Sequence, residues 1–464
     1  MLMPYLTAFF QNLTFKFSKM KKAIFLMLLL TSASITFAQK SKYVVVISLD
    51  GFRPDFYRQA QWPTPNLHEM AQNGASSDGV RGVFPTVTYP SHTTIVTGVL
   101  PNKHKIFHNT PFEPAGQTGR WNWENNLIKA ETIWDAAHKK GLKTASIHWP
   151  VTVGTQTVDY NIPETEIEKN VADPLIQMRK FAKPQGLFEE IEREATGKLT
   201  SKAMDSDYLT MDENLARMAA YVLEKYKPNL TTVHIFNLDH FEHKEGRNGP
   251  SVERAIAGAD RAVGKIMEAA ERAGIKDSTT FLIVGDHGFV DIHAQLSPNT
   301  WLVKAGLMEK KKDRGNWKAT FHPQGGMAFL YLKDKNDQQT LKQVQNILND
   351  LPASTKKLFD IVKTEDYQAI GADPEAVLAL TAKQGFSFSD SFEEPFLKPA
   401  KGGTHGYFPN FKEIETGFIA YGADIKSNVV IPTMGLEDIA PIVAKLLGLS
   451  MTNLDGVLYP SVVK

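Results

Sequence analysis

The sequence predicts an α/β fold, with a central, mostly parallel sheet and helices on both faces. Three observations predict it. The segments 43–50, 231–239 and 279–286 are largely apolar runs of strand length, the pattern of strands covered on both faces. Between them lie helical patterns, the clearest starting at Ser251 as N-cap. It places Val252, Ala255, Ile256, Ala259, Val263, Ile266 and Met267 on one stripe and stops at Gly274. Strand and helix therefore alternate, and the alternation resumes at 415–422 and 436–447. Between Phe289 and His405 the composition is more polar and mixed, with a strand-like stretch at 327–332 and an amphipathic one at 341–351. This part, about 290–400, is expected to be a cap inserted on a single catalytic domain running from 39 to 464. No internal repeat or low-complexity tract is evident.

Composition narrows the function classes. Of 464 residues, 42% are hydrophobic and 22% charged, which is ordinary globular usage. Lys+Arg 52 against Asp+Glu 51 leaves a net charge of +1, so no global field recruits a nucleic-acid duplex or an anionic membrane. Any phosphate recognition must be local. The absence of cysteine excludes disulfides, thiolate metal sites and a lipid-anchored cysteine. Met20-Lys21-Lys22, the apolar run 23–30 and Thr36-Phe37-Ala38 read as a cleaved signal peptide over 20–38, behind a longer leader. A membrane anchor fits less well, because the apolar run falls short of the roughly 20 residues a spanning helix needs. The mature chain is expected in a bacterial periplasm or secreted, with no stable anchor.

Each of the three predicted strands ends in aspartate: YVVVISLD, TTVHIFNLD and TTFLIVGD. In open α/β sheets ligands bind beyond the carboxyl ends of the strands, so Asp50, Asp239 and Asp286 are expected to share one crevice. Two carboxylates about 5 Å apart repel by roughly 3 kcal/mol at an effective dielectric near 20, so such a cluster calls for a cation. Histidines appear beside them. His243 follows Asp239 by four residues, His287 follows Asp286 directly, and His405 sits in GGTHG; glycines flank both later histidines, leaving room for backbone to approach a metal closely. Mixed His/Asp ligation suits Zn²⁺, and six such ligands suffice for two ions. A lone strand-end aspartate is most often a cap or turn residue; three of them with three such histidines are harder to explain that way. His92, His104, His108, His234 and His240 lack this setting and are read as structural or solvated.

A two-metal site needs a reacting group, and FPTVTYPSHTTIVTG supplies hydroxyls. Pro90 reads as the first residue of a short helix, with Thr88 at its entrance, where free N–H groups welcome an anion. Spacing does not choose among Thr86, Thr88 and Ser91.

The blocks SLDGFRPD, FPTVTYPSHTTIVTG, NLDHFEHKEGRNGP, GDHGF and GTHGYFPN, in this order, resemble the signature blocks of the nucleotide pyrophosphatase/phosphodiesterase family in the alkaline phosphatase superfamily. The resemblance implies an alkaline phosphatase-like fold and two Zn²⁺. It implies Thr88 as nucleophile beside a zinc held by Asp50, Asp286 and His287. Asp239, His243 and His405 would hold the second zinc, and Asn109 would donate to a phosphoryl oxygen. Tyr89, after the nucleophile, either lines a nucleotide base pocket or packs; Trp149 and Tyr160 are weaker candidates for the same pocket. Where the family has His-Gly-Ile before that asparagine, this chain reads His104-Lys105-Ile106, so a different local loop is expected.

The implied activity is zinc-dependent hydrolysis of a phosphodiester or pyrophosphate bond in a small-molecule, nucleotide-type substrate, through a covalent phospho-threonine. Two Zn²⁺ and three aspartates leave about +1, which suits a singly charged diester. A phosphomonoesterase on the same scaffold is the nearest alternative, and a non-catalytic phosphate- or nucleotide-binding protein a further one. A sulfatase is disfavoured because its nucleophile is made from Cys or Ser, and the aligned residue is Thr88.

Overall fold

The computed structural model describes residues 41–168, 171–311 and 315–464; the leader expected at 20–38 lies outside them. Among the described residues the main sheet has eight strands. They are β1 (Tyr43–Leu49), β2 (Ala75–Ser77), β3 (Thr144–Ile147), β4 (Tyr160–Ile162), β5 (Leu230–Ile235), β6 (Thr279–Val284), β11 (Phe418–Gly422) and β12 (Val429–Ile431). The spatial order is β12-β2-β11-β6-β1-β5-β3-β4, and the strands from β7 (Ala319–Gln324) to β10 (Leu378–Ala382) belong to a second sheet. From β6 to β4 every pairing is parallel, and β11 runs antiparallel to both β6 and β2. The central strands β1, β5 and β6 are buried almost throughout, as their unbroken apolar character requires.

Helices cover both faces. α1 (Pro65–Asn73), α4 (Thr210–Tyr226) and α6 (Pro250–Arg272) share one apolar cluster with Val45, Ile47 and Ile283. On the other face α2 (Thr88–Thr97), α3 (Ile133–Lys139) and α7 (Ile439–Leu447) pack with Val44, Val46 and Leu282. Alternate residues of β1 thus feed opposite cores, as the period of two dictates. The stripe expected from Ser251 is buried along α6 apart from the half-buried Met267, but the N-cap is Gly249, two residues before Ser251. Pro250 occupies its first turn, where the missing N–H costs nothing, and Gly274 at φ +69 ends the segment.

The described residues between 290 and 404 carry two smaller sheets. One contains β7 (Ala319–Gln324), β8 (Met327–Leu332), β9 (Phe359–Val362) and β10 (Leu378–Ala382), in the order β9-β10-β8-β7. The expected strand at 327–332 is β8, and the amphipathic stretch is a helix, Gln338–Asp350. The other sheet is built on Val290–Leu296, which leaves β6 through Gly285-Asp286-His287-Gly288 and pairs with Gly403–Thr404. That pairing carries His405 back to the edge of the main sheet.

Candidate active site

The site lies at the carboxyl ends of β1, β5 and β6. Register places Ser48 level with His234 and with Val284, so the residues after these three strands emerge side by side. Asp50 follows β1 directly. Asp286 follows β6 after Gly285, and its Oδ1 accepts the backbone N–H groups of Gly51 and His287, both at 3.0 Å. The first of these bonds ties the two strand ends together.

Asp239 arrives differently from the expectation. The strand read at 231–239 stops at Ile235, and the chain turns into α5 (Asn237–Glu245), so Asp239 lies in a helix's first turn. The cause is tertiary. The buried Asp212 carboxylate of α4 accepts N–H groups from Phe236 at 3.0 Å and Asn237 at 3.1 Å, satisfying donors that a helix start leaves free. Burial pushes Asp212 up to about 7. On α5 the four-residue spacing is real helix spacing, and His243 Nε2 lies 3.4 Å from Asp239 Oδ1.

The six predicted ligands converge. His287 Nε2 is 3.3 Å from Asp50 Oδ1, 3.2 Å from Asp286 Oδ2 and 4.0 Å from Asp239 Oδ1. His405 Nε2 is 3.5 Å from Asp239 Oδ1 and 3.2 Å from His243 Nε2. His287 therefore sides with Asp50 and Asp286, while His243 and His405 side with Asp239. The imidazoles are aimed by bonds from their other nitrogens, His243 Nδ1 to Gly403 O at 3.0 Å and His405 Nδ1 to Thr86 O at 3.0 Å. The glycines around His405 have a different use from the expected one. A Cβ on Gly406, at φ +93, would lie 2.0 Å from Gln324 O, so they admit neighbouring backbone.

Electrostatically the cluster is incomplete by itself. Asp50 Oδ1, Asp239 Oδ1, Asp286 Oδ2 and His287 Nε2 are buried with no hydrogen-bond partner. Burial, then the charges of Asp286 and Asp239, raises Asp50 well above the carboxylate range. Burial likewise raises Asp239, and takes Asp286 up to about 7. Burial followed by the neighbouring imidazoles holds His287 and His405 low, hence neutral, the form that can ligate a cation. Three carboxylates and three imidazoles with orphaned atoms facing one another fit divalent ions of the zinc type.

Thr88 opens α2, two residues earlier than the helix start read at Pro90. Of the three candidate hydroxyls, Thr86 donates to Tyr407 O at 3.1 Å and is 0% exposed, and Ser91 is 0% exposed, whereas Thr88 is 7% exposed. His92, one turn on, fixes this end of the helix through Nδ1 and Thr88 O at 2.8 Å, and lies 3.7 Å from Asp286 Oδ2. Asn109 Oδ1 accepts the Tyr89 N–H at 2.9 Å, which ties Asn109 to the start of α2. Tyr89 itself is 0% exposed, packs with Ile106 and Val151, and donates its hydroxyl to Glu164 Oε1 at 3.0 Å. This is the packing alternative, and the aromatic face beside it that meets solvent is Trp121, ring centroid 5.2 Å away. Trp149 is buried against His92, and Tyr160 stacks on Tyr226. Lys105, the residue at which the chain departs from the family pattern, is the C-cap of the short helix Pro101–His104. It holds φ +70, ψ 12, the left-handed conformation a glycine adopts freely.

One contact was missed. His234, read as structural, lies 3.1 Å from Asp50 Oδ2 through Nε2. Its only signal in the sequence was an imidazole inside an otherwise buried parallel strand.

A family model described as Type I phosphodiesterase / nucleotide pyrophosphatase matches residues 44–408. The chain is 23% identical over 404 residues to ectonucleotide pyrophosphatase/phosphodiesterase family member 3 of Rattus norvegicus, covering 84% of this chain and 40% of that protein. It is 23% identical over 439 residues to venom phosphodiesterase CdcPDE of Crotalus durissus collilineatus, covering 89% and 45%. It thus spans less than half the length of these two relatives. With family member 5 of Homo sapiens it shares 21% identity over 433 residues, covering 92% and 79%. A solved structure of murine ectonucleotide pyrophosphatase/phosphodiesterase 5, an inactive threonine-to-alanine variant in complex with AMP, superposes with a TM-score of 0.65. It is 20% identical and covers 90% of this chain and 98% of that one. The alkaline phosphatase-like fold is shared. Because the family match runs from before Asp50 to beyond His405, the chain belongs to the Type I phosphodiesterase / nucleotide pyrophosphatase family.

Proposed function

We propose that the chain is an exported, two-zinc phosphodiesterase/nucleotide pyrophosphatase that works through a phospho-threonine on Thr88. The observation that carries this reading is the set of orphaned, mutually facing ligand atoms on Asp50, Asp239, Asp286 and His287 beside the start of α2. Asp50, Asp286, His287 and the Thr88 oxygen would hold one ion, and Asp239, His243 and His405 the other. When bound, such ions supply Lewis-acid stabilisation of charge on attacking and leaving oxygens.

The chain's own groups do the rest. Thr88 Oγ1, the one candidate hydroxyl with any exposure, attacks phosphorus in line, and the P–O bond to the leaving group breaks. The Thr88 N–H at the start of α2 and Nδ2 of Asn109, whose Oδ1 is held by the Tyr89 N–H, donate to the non-bridging oxygens. Water then attacks the phospho-threonine from the side the leaving group vacated, and Thr88 is regenerated. The identity of the relatives, phosphodiesterases by name, and the AMP held by the murine neighbour support a nucleotide-type substrate. Export rests on the 20–38 leader pattern. Among the described residues no helix is long and apolar enough to cross a membrane.

One experiment tests the reading. Zinc-loaded protein is assayed on bis-p-nitrophenyl phosphate, p-nitrophenyl phosphate, ATP, diadenosine polyphosphate and glycerophosphocholine, alongside Thr88→Ala. The diesters or pyrophosphates should turn over faster than the monoester, and Thr88→Ala should lose turnover while keeping most of its zinc. A clear monoester preference would replace the diesterase reading with the phosphomonoesterase one. Full activity in Thr88→Ala would remove the nucleophile.

A further inference from the structure

A second cluster of ligating side chains lies on the neighbouring strands of the same sheet edge. His148 follows β3, Glu164 lies two residues beyond β4, and His234 is near the end of β5. β3 is bonded to both of the others, with Ile147 level with Ile162 on one side and Val233 on the other, so register alone brings the three residues together. One potential ligand atom from each lies within 4.8 Å of the others.

The hydrogen bonding of this cluster is unbalanced. Glu164 Oε1 accepts from Tyr89, but its Oε2 is buried without a partner, and so is Nδ1 of His148, a side chain only 5% exposed. His148 also holds φ +58, a conformation that costs a residue other than glycine about 1 kcal/mol, at the turn leaving β3. His234 Nε2 faces Asp50 Oδ2 at 3.1 Å, and an ionised carboxylate can only accept, so the proton sits on Nε2. This step rests on Asp50 being an ionised ligand of the two-zinc centre; the two unpartnered atoms do not depend on it. His234 Nδ1 is then a lone pair, yet it faces the His148 carbonyl oxygen at 3.2 Å and Glu164 Oε2 at 3.9 Å. Acceptors converge with no donor between them.

We propose that His148, Glu164 and His234 form a third divalent transition-metal site, separate from the two-zinc centre and joined to it through the single imidazole of His234. Two imidazoles and a carboxylate with an open fourth position are a donor set that zinc-like ions prefer over Mg²⁺ or Ca²⁺. Tetrahedral zinc brings ligand atoms about 3.4 Å apart, so the 3.9 Å between His234 Nδ1 and Glu164 Oε2 closes with a small rotation of the carboxylate. Access is available through a cleft of ≈ 680 Å³ lined by His148, Glu164, Phe236 and Asp205. An ion here locks His234 in the tautomer that donates to Asp50, and so positions that ligand for the main centre.

The test counts and locates the metal. Protein stripped with a chelator is reloaded with zinc, dialysed, analysed by mass spectrometry for metal per chain, and crystallised for anomalous scattering at the zinc edge. The wild type should carry about three equivalents, with one anomalous peak between His148, Glu164 and His234. His148→Ala and Glu164→Gln should each lose about one equivalent, while Asp239→Asn should keep the peak beside His148. Peaks at Asp50/Asp286/His287 and Asp239/His243/His405 with only water beside His148 would overturn the third site and leave the two-zinc reading standing. A peak beside His148 alone would uphold it and sink that reading. The map of the wild type decides the matter even if a variant fails to fold.

Discussion

Gly285 links the last residue of β6 to Asp286, and replacing it by alanine tests whether close backbone packing is what aims Asp286 and His287. A Cβ there would lie 2.0 Å from Thr416 Oγ1, 2.7 Å from Phe52 O and 2.8 Å from Phe52 Cβ. Rotation of Thr416 can relieve only the first contact. The Phe52 carbonyl is held in place, because it accepts the Thr416 hydroxyl at 2.7 Å and the Gly417 N–H at 2.8 Å. Bringing the Cβ to an ordinary separation needs a shift of roughly half an ångström or more, an overpacking that costs about 1–3 kcal/mol. The strain enters the site from both sides, since Phe52 follows Asp50-Gly51 and the displaced residue precedes Asp286-His287. A misplacement of about 1 Å in such a constellation costs on the order of 10²-fold in rate. Gly285→Ala should therefore unfold at lower denaturant and lose about 10- to 100-fold in kcat/KM on bis-p-nitrophenyl phosphate. Adding Thr416→Ala should recover only part of either loss. Wild-type stability and activity in Gly285→Ala would refute the claim that this approach fixes Asp286 and His287.

Two further variants read other parts of the argument. Lys105→Gly removes a side chain from an exposed left-handed position at φ +70 and should raise stability by about 0.5–1 kcal/mol in urea unfolding, after allowance for the added freedom of the unfolded chain; a loss would contradict the conformation. Asp212 binds its proton more tightly in the folded state, with burial taking it from 3.8 to about 7, so its contribution is full below about pH 4 and is lost as pH rises toward 7. The stability of the wild type relative to Asp212→Asn should fall across that window, by on the order of 4 kcal/mol for a shift of about three units. Urea titrations at pH 5 and pH 8 giving the same difference would contradict it.

What the sequence disclosed and what it withheld follow one physical division. Strands covered on both faces must be apolar for their whole length, so β1, β5 and β6 announced themselves, and a carboxylate where the run ends is conspicuous. The site residues legible in this way are those whose unusual setting is local: Asp50 after a buried strand, His287 next to Asp286. Asp239 was read on a strand because the donors that open α5 are satisfied by Asp212, from a different helix, and nothing near Asp239 reveals that partner. The left-handed conformation of Lys105 was hidden because a sequence displays residue identity and not φ. His234 was passed over for a related reason. Its environment is made by register, which sets it level with Ser48 on one side and near His148 on the other, and register is a property of pairs of strands. Yet the reasoning that gathered three aspartates at one sheet edge was already an argument about neighbouring strand ends. Extended to β3 and β4, it gathers His148 and Glu164 beside His234, so the edge that carries the main site carries the second cluster by the same cause.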